Sequence, residues 1–256
     1  MRSSGTITKT LPSIFFLVSL VLIFWWGYRH LDYNWQWYRV GKYLSGSDGS
    51  YGLLVQGIFI TLKISFFGLI LSTFFGVFSA LARLSSSRVL SFYMVLYIET
   101  IRNTPLLIQI FVIYFVISPV LDLSPMVCAV LALSLFEGAY ASEIIRAGIV
   151  NVDKGQWEAA RSIGLPTRLI YTRVVFPQVL KQTLPMLAGQ SVSLIKDSAL
   201  VSTISIFDLT MQGQRIVSET FLTFEIWFTV ALCYFLMTAP LSFCIRIIEK
   251  RLNYTH

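Results

Sequence analysis

Long apolar runs alternate with short polar segments along this chain, and the alternation predicts a bundle of membrane-spanning helices. A helix needs about 17 to 25 mostly apolar residues to cross the hydrocarbon core of a bilayer. Runs of roughly this length cover residues 11–26, 57–84, 89–121, 125–145, 184–209 and 224–248. The predicted fold class is therefore all-α and polytopic, with about six transmembrane helices.

The first run has features of both a signal peptide and a retained helix. Arg2 and Lys9 precede it, as basic residues precede the apolar region of a signal peptide. No small-residue cleavage site follows, and Trp25 and Trp26 stand at its end. Because tryptophan is enriched where a helix meets the membrane interface, we predict a retained membrane helix.

Polar residues interrupt the third run before Pro105. Glu99 and Arg102 are three positions apart, so they can pair on one face of a helix. The pattern fits one long helix bent near Pro105, or an interfacial helix that leads into a span. For Glu99 and Arg102, an interfacial structural role is favoured over contact with a substrate.

Composition and charge also indicate an integral membrane protein. Of the 256 residues, 55% are hydrophobic and only 13% are charged, whereas soluble proteins carry about 25% charged residues. The net charge of +7 is explained by basic residues retained on the cytoplasmic side, without a nucleic-acid partner. Among the basic residues outside the spans, the outer segments hold only Arg29, Arg39, Lys42 and Arg215. This asymmetry predicts that both termini are cytoplasmic.

Side chains suited to catalysis or metal binding are few. Cys128, Cys233 and Cys244 are scattered singly in apolar runs, which favours buried packing over a disulfide framework. His30 and His256 are the only histidines, and no nucleophile–base arrangement is evident. We therefore predict no catalytic residue, no metal site and no cofactor in this chain.

A polar stretch at residues 151–187 separates two of the apolar runs and predicts two short helices. Gly164 can end the first helix, and the fixed φ of Pro166 suits the start of the second. Such a loop at the cytoplasmic face of a membrane protein has the form of a docking surface for a partner.

The first of these two helices has an amphipathic pattern. Trp157, Ala160 and Ile163 recur at about one-turn spacing, so one side can lie in a groove of a partner. Glu158 and Arg161 then remain on the polar side. The alternative is an ordinary amphipathic surface helix, or an internal Glu158–Arg161 pair.

Lys196 and Asp197 place two charges within the fifth run, near the middle of the predicted helix. Ionisable groups inside a membrane are costly, and they mark either a transport pathway or a buried pair. Adjacent helical residues point about 100° apart, so the two do not neutralise each other directly. Asp197 can accept hydrogen bonds from a ligand ammonium. The alternative is a structural pair that holds the helices together.

Several ordered blocks resemble the permease subunits of bacterial ABC importers, in the polar amino-acid branch of that family. The blocks are GAYASEIIRAGI at 138–149, KGQWEAARSIGL at 154–165, VVFPQVLKQTLPML at 174–187, SLIKDSALVSTI at 193–204, RNTPLL at 102–107, and Gly57 with Thr61 and Leu62. The resemblance covers about residues 51–251. It implies a type I ABC importer permease fold with a cytoplasmic coupling loop at 150–175, preceded by an accessory helix and outer loop at 1–50.

The resemblance also implies partners. A subunit of this family binds no ATP, so ATP and magnesium are expected on a cytoplasmic ATPase dimer. A second permease subunit, identical or different, and an external solute-binding protein complete the assembly. The location implied is the cytoplasmic (inner) membrane of a bacterium, with the helices in contact with the lipid bilayer.

The resemblance and the residue patterns together give a set of candidate site residues. The residues expected to couple to the ATPase are Asp153, Trp157, Glu158, Ala159, Ala160, Arg161 and Gly164. The residues expected along the substrate pathway are Lys196, Asp197, Ser193, Ser198 and Ser202, where the hydroxyls orient the ligand. Weaker candidates for the pathway or for bracing are Glu99, Arg102, Glu137 and Glu143. Glu143 is three positions from Arg146 and is expected to brace the coupling loop with it.

Three alternatives remain open at this stage. The chain could be a membrane anchor or scaffold whose basic loop recruits a cytoplasmic partner without transport. It could be an ABC permease for another small solute. An intramembrane enzyme is disfavoured, because no reactive constellation is evident.

Overall fold

The computed structural model describes residues 33–46 and 50–253, together with individual positions between 15 and 29, which are helical. Only individual positions of the predicted first span at residues 11–26 lie within the described residues. The chain divides into two compact units, Met1–Trp37 and Tyr38–His256. The second unit carries all the features discussed below. The domain boundary at residue 50 stays a prediction.

The described part of the second unit is built from helices. After the short turns Trp37–Arg39 and Gly41–Leu44 come α1 (Leu53–Arg83), α2 (Arg88–Arg102), α3 (Leu106–Leu121), α4 (Pro125–Val150), α5 (Lys154–Ser162), α6 (Phe176–Asp197), α7 (Leu209–Thr220) and α8 (Thr223–Asn253). A π-helical segment lies inside α3 at Val112–Ile117. Another, Ile170–Val175, leads into α6, which continues as a 3-10 helix at Ser198–Ile204. The all-α class predicted from the sequence is confirmed.

The number of long apolar helices is smaller than the six that the sequence predicts. Among the described residues, α1, α4 and α8 are long and apolar enough to cross a membrane. The pair α2 and α3 adds a fourth candidate if it is counted as one broken span. Helix α6 is long enough but too polar to qualify, because residues such as Gln178, Lys181 and Gln190 interrupt its apolar pattern. A helix of this kind is expected to face protein or water over part of its surface.

A sharp bend separates α2 from α3. The two helices meet at an angle of 110°, so the predicted bend near Pro105 is present and is sharp enough to divide the third run into two helices. Pro105 has no N–H and disfavours helical geometry in the residue before it, so α2 ends at this point. The buried side chain of Gln109 donates to the carbonyl oxygens of Ile101 and Thr104, at 2.8 Å and 3.0 Å. These two hydrogen bonds across the break stabilise the bend.

Helices α1 and α4 form the most extensive helix–helix contact in the unit. A Cβ added to Gly76 would lie 2.7 Å from the Cβ of Ala141, and one added to Gly138 would lie 2.8 Å from the Cβ of Phe75. Both glycines are therefore needed for the close approach of the two backbones. Small residues at a helix contact commonly allow such an approach in membrane proteins.

The segment after the fifth run, which carries Arg215, forms a helix, α7. Asp208 caps the helix by accepting hydrogen bonds from the backbone N–H of Thr210 and of Met211, at 3.2 Å and 2.9 Å. The N–H of Leu209 donates to Thr61 Oγ1 at 3.2 Å, and Gly57 packs closely on the Leu209 backbone. These contacts fix the start of α7 against the first turns of α1.

Candidate functional site

Helix α5 has a well-defined beginning and end. Asp153 is its N-cap and accepts a hydrogen bond from the N–H of Gly155 at 2.7 Å. At the other end, the backbone N–H of Gly164 donates to the carbonyl oxygen of Arg161, and the N–H of Leu165 donates to the carbonyl oxygen of Ala160. These two hydrogen bonds form a Schellman motif. Gly164 adopts a φ of +73°, a value that glycine tolerates best. The predicted break at residues 164–166 is confirmed, but the second helix is not short, because the chain is helical from Thr167 through Val175 into α6.

The apolar side of α5 packs mainly on its own chain. Ala160 is buried in a cluster whose other buried members are Val152, Ile170, Val175 and Val179. Trp157 is half-buried and meets the ring of Tyr171 edge to face, with ring centroids 5.2 Å apart. Ile163, in contrast, is 75% exposed. The prediction that Trp157, Ala160 and Ile163 share one outward face is therefore wrong, because two of them hold α5 against the segment that leads into α6.

The outward side of α5 is polar and carries one small residue. Lys154, Glu158, Ala159 and Arg161 are all exposed. Glu158 and Arg161 form no ion pair with each other in the described structure, so both charges are available to a partner. A shallow cavity of about 380 Å³ lies beside them and is lined by Lys154, Trp157, Glu158, Arg161 and Tyr171. A shallow cavity beside unpaired charges is a surface to which a partner could dock.

An ion cluster joins α1 to α4 near the end of the bundle that carries α5. Glu143 accepts a hydrogen bond from Arg146 at 2.9 Å, which confirms the pair predicted from their spacing. The same carboxylate also contacts Arg83, the last residue of α1. Helix α4 ends at Val150, and Asp153, the N-cap of α5, follows three residues later. The cluster therefore anchors the helix from which the loop that carries α5 begins.

The predicted pair between Glu99 and Arg102 is absent, although both residues lie in the described structure. Glu99 accepts from Nδ2 of Asn103 at 3.2 Å, at the end of α2. The guanidinium of Arg102 lies 5.5 Å from the centre of the Tyr140 ring. Arg102 therefore connects α2 to α4 by a cation–π contact.

Lys196 and Asp197 lie at the end of α6, where the helix tightens into the 3-10 segment, and not near the middle of a helix as predicted. Lys196 is exposed, and Asp197 is half-buried. The carboxyl group of Asp197 lies beside that of Glu137. Glu137 is only 2% exposed, and its Oε2 has no hydrogen-bond partner. The structure therefore brings together two acids that the sequence separates by 60 positions.

The three predicted serines differ in their surroundings. Ser198 and Ser202 are buried, and their hydroxyls donate to the backbone carbonyls of Ile195 and Ala199. Each of these hydroxyls keeps only its acceptor capacity for another group. Ser193 is half-buried on α6. The role of these residues toward a ligand stays a prediction.

Residues that could hold a metal do not converge in the described part of the chain, where no group of three His, Cys, Asp or Glu side chains has a suitable arrangement. Cys128 and Cys233 are buried free cysteines, as predicted for packing residues. For Cys244, which is exposed, the prediction of buried packing is wrong. The described residues therefore combine an exposed polar helix surface at one end of the bundle with a charged group within it.

The described residues form a bundle of apolar helices with a capped polar helix at one end. Residues 72–254 match the family described as binding-protein-dependent transport system inner membrane component, and the chain belongs to this family. It is accordingly a multi-pass inner-membrane transport subunit.

Individual relatives agree with this assignment. A Rickettsia bellii protein, provisionally named a glutamine transport system permease, is 39% identical over 202 residues, which are 78% of this chain and 92% of the relative. The L-cystine transport system permease of Bacillus subtilis is 37% identical over 203 residues, covering 78% and 87%. A solved structure, a crystal structure of an amino acid ABC transporter with histidines, is 38% identical with a TM-score of 0.73, covering 78% of this chain and 94% of that one. The resemblance stated from the sequence motifs is confirmed.

Proposed function

We propose that this chain is the permease subunit of an ABC importer for polar amino acids, and that a separate ATPase subunit hydrolyses the ATP. The observation that carries the proposal is α5, which is capped at both ends, packed on its own chain by one side, and polar and exposed on the other. The names of the relatives, which refer to glutamine and L-cystine, support the substrate class.

The ATPase contact is made by the outward side of α5. Glu158 and Arg161 form charged contacts with the ATPase, and exposed Ala159 allows its surface to approach closely. Asp153 and Gly164 fix the two ends of the helix. ATP and magnesium bind to a dimer of this partner, and the permease itself needs no cofactor. In this arrangement α5 and both chain termini are cytoplasmic, and α7 lies on the outer side, where a solute-binding protein delivers the substrate.

Movement of α5 reaches the membrane through two connections. Trp157 contacts Tyr171, and Ala160 packs with Ile170 and Val175, so the loop and the beginning of α6 move as one body. The second connection is the short link from Val150 of α4 to α5. Since packed elements shift as rigid bodies, closure of the ATPase dimer changes the positions of α4 and α6 together.

The substrate pathway passes the charged group at the end of α6. Exposed Lys196 would be costly in contact with lipid, so this side of α6 faces a polar pathway or a second permease subunit, which is identical or different. Asp197 and Glu137 offer acceptors for the ammonium of an amino acid, and Lys196 offers donors for its carboxylate. If these residues were only structural, they would hold the helices together without affecting transport selectively.

The docking role is tested by Glu158→Lys, which reverses an exposed charge on α5. Like-charge placement in an interface costs several kcal/mol, so we expect ATPase co-purification and ATP-dependent uptake in proteoliposomes to fall by about tenfold or more. Ser86→Lys is the matched control, because Ser86 is exposed on the turn between α1 and α2. Unchanged assembly and uptake in Glu158→Lys would show that α5 does not dock the ATPase.

The same experiment separates transport from scaffolding. A scaffold would also lose its cytoplasmic partner in Glu158→Lys, but the wild-type complex would then show no ATP-dependent uptake of any amino acid. An importer for a different class of solute would assemble with its ATPase and leave amino acids outside the vesicles.

A further inference from the structure

An apolar groove runs between α1, α4 and α6, including the segment that leads into α6. Its volume is about 760 Å³. None of its lining residues is charged, and most are apolar, such as Ile145 and Leu187. The groove opens sideways, because Val77, Leu81 and Phe176 on its rim are exposed. Since α1 is long and apolar enough to cross a membrane, the groove lies at the depth of the hydrocarbon core.

The helices already use most of the hydroxyl groups in the groove. Thr73, Thr172 and Thr183 each donate to the carbonyl oxygen four residues earlier, at 2.8 to 2.9 Å. The other two hydroxyls, of Tyr171 and Ser191, lie toward opposite ends of the groove. A polar solute inside the groove would lose its hydrogen bonds to water and find few donors in return. The ligand that fits is a hydrocarbon chain.

The dimensions of the groove also suit a hydrocarbon chain. On α1 the groove extends from Leu69 to Leu81, a length of about 18 Å, which is close to the half-thickness of about 15 Å of a hydrocarbon core. With this length, the volume of the groove corresponds to a width of about 7 Å, whereas a helix with its side chains is about 10 to 12 Å wide. The groove is therefore too narrow to enclose a transmembrane helix of a partner.

Helix α6 separates this groove from its own polar side. Leu184 and Leu187 line the groove. Successive helical residues are rotated by about 100°, so Gln182 and Lys196 lie on the opposite side of the helix. A polar pathway or a second permease subunit is expected on that polar side, as argued above for Lys196. The groove side is therefore left to the lipid.

Two arginines lie at the end of the groove that is nearest to α5. Arg168 is one turn before Thr172, and Arg173 follows Thr172 directly. Both arginines are exposed, and neither forms an ion pair within the described residues. Arginine binds phosphate by charge-assisted hydrogen bonds, and basic residues near a membrane surface attract anionic lipids. The charge at this end of the groove therefore fits an anionic head group.

We propose that the groove binds an acyl chain of an anionic phospholipid, whose phosphate contacts Arg168 and Arg173. The lipid belongs to the leaflet on the side of α5. Tyr171 lines both this groove and the shallow cavity beside α5, so the bound lipid contacts the residue on which Trp157 packs. This inference rests on the proposed function only for the assignment of that leaflet to the cytoplasmic side.

The test uses the full-length permease, with every subunit that co-purifies, in phosphatidylcholine nanodiscs. One probe is a phosphatidylglycerol with a diazirine in an acyl chain, and the matched probe is a phosphatidylcholine with the same chain. After illumination, mass spectrometry identifies the labelled residues. The phosphatidylglycerol probe should label Val77 and Ile145 about 5- to 30-fold more than the phosphatidylcholine probe does, because each nearby arginine contributes about fivefold to binding of an anionic lipid.

The head-group contact is tested by a double variant, Arg168→Gln with Arg173→Gln. It should lose most of the preference for phosphatidylglycerol, while labelling by the phosphatidylcholine probe stays the same. Arg251→Gln is the matched control, because Arg251 is also exposed but belongs to the last turn of α8 and does not line the groove. This control should keep the preference of the wild type.

The acyl-chain contact is tested by Leu184→Trp. Leu184 is 39% exposed at the groove, so the larger ring can enter the groove without displacing the buried core. Labelling of Val77 and Ile145 by both probes should then fall to the level of residues outside the groove. Leu236→Trp is the matched control, because Leu236 is exposed on α8 and does not line the groove.

Three results would overturn the site. The first is equal labelling of the wild type by the two probes, and the second is a preference that survives in the double arginine variant. The third is a groove that neither probe labels in the wild type, which would show that protein covers it. Uptake is measured separately: amino-acid transport with an unlabelled groove would reject the site alone, whereas absence of amino-acid transport with a labelled groove would reject the proposed function alone.

Discussion

Asp208 combines a helix cap with a fully buried carboxyl group. Its oxygens accept hydrogen bonds from the N–H groups of Thr210 and Met211 and from the hydroxyl of Tyr234. These hydrogen bonds favour the ionised form, but burial disfavours it more strongly, and the balance raises the pKa of Asp208 to about 6. The folded protein therefore holds this proton more tightly than the unfolded chain does.

The raised pKa predicts a pH-dependent stability. As the pH rises from about 4 to 6, the unfolded chain releases this proton first, so the wild type loses at most about 3 kcal/mol of unfolding free energy. Asp208→Asn keeps the cap but cannot titrate. The melting temperature of Asp208→Asn should therefore increase relative to that of the wild type across this pH interval and remain constant above it.

Asp208→Ala separates the cap from the charge. It removes both, so it should lack the pH dependence but also lose about 0.5 to 2 kcal/mol of cap stabilisation. Thermal unfolding of the three proteins in one detergent, between pH 4 and pH 8, provides the measurement. Identical pH profiles for the wild type and Asp208→Asn would contradict the role of burial.

At the scale of one element, α5 depends on the conformation of Gly164. A Cβ added there would meet nothing within 4 Å, so space does not exclude another residue. The positive φ of +73° disfavours any other residue, because this backbone conformation costs an L-residue about 1 to 2 kcal/mol. Gly164→Ala can escape this cost by unwinding the last turn of α5, and docking must then restore that turn.

We therefore expect Gly164→Ala to weaken binding of the ATPase subunit by a factor of about 5 to 30, which corresponds to the same 1 to 2 kcal/mol. Gly41→Ala is the matched control, because a Cβ there also meets open space but the backbone is helical. Affinity is measured by titrating purified ATPase onto the permease in nanodiscs. An equal affinity for both variants would contradict the dependence of docking on this turn.

Local signals explain which elements could be predicted from the sequence. The break at Gly164 and Pro166 is encoded by the residues themselves, and the long apolar runs indicate α1, α4 and α8 to within a few residues. Helix α7 was missed because its apolar content is low, although Asp208 before Leu209 was an available N-cap signal. The 110° bend depends on Gln109 reaching Ile101 across a break, which no periodicity reveals.

The candidate site was predictable to a smaller extent than the fold. Exposed Glu158 and Arg161 follow from the polar side of an amphipathic helix. The inward packing of Trp157 could not be predicted in this way. It depends on Tyr171, which follows the turn and places its ring against Trp157 in the folded chain. The proximity of Glu137 and Asp197 likewise depends on how α4 packs on α6. From the sequence alone, the two acids were therefore predicted as separate candidates and not as a pair.

At the scale of the whole molecule, the outward side of α5 and the charged group at Lys196 and Asp197 are parts of one connected structure. The cluster around Ala160 joins α5 to the segment before α6, and α6 ends at Asp197. The contact of Glu143 with Arg83 and Arg146 fixes α4 to the end of α1 at the same side. We therefore expect a displacement of α5 to move both helices that carry the paired acids.

This connection predicts that Asp197 affects transport without affecting assembly. Asp197→Asn keeps the volume and removes a charge that crowds Glu137, so the complex should still assemble with its ATPase. Uptake should fall by about tenfold or more, because a charged acceptor for the ammonium contributes about 1.5 to 3 kcal/mol. Asp122→Asn is the matched control: Asp122 lies exposed between α3 and α4 with a φ of 49°, which asparagine also tolerates. Normal uptake in Asp197→Asn would exclude this residue from the pathway, whereas joint loss of assembly and uptake would indicate that the charge holds the subunit together.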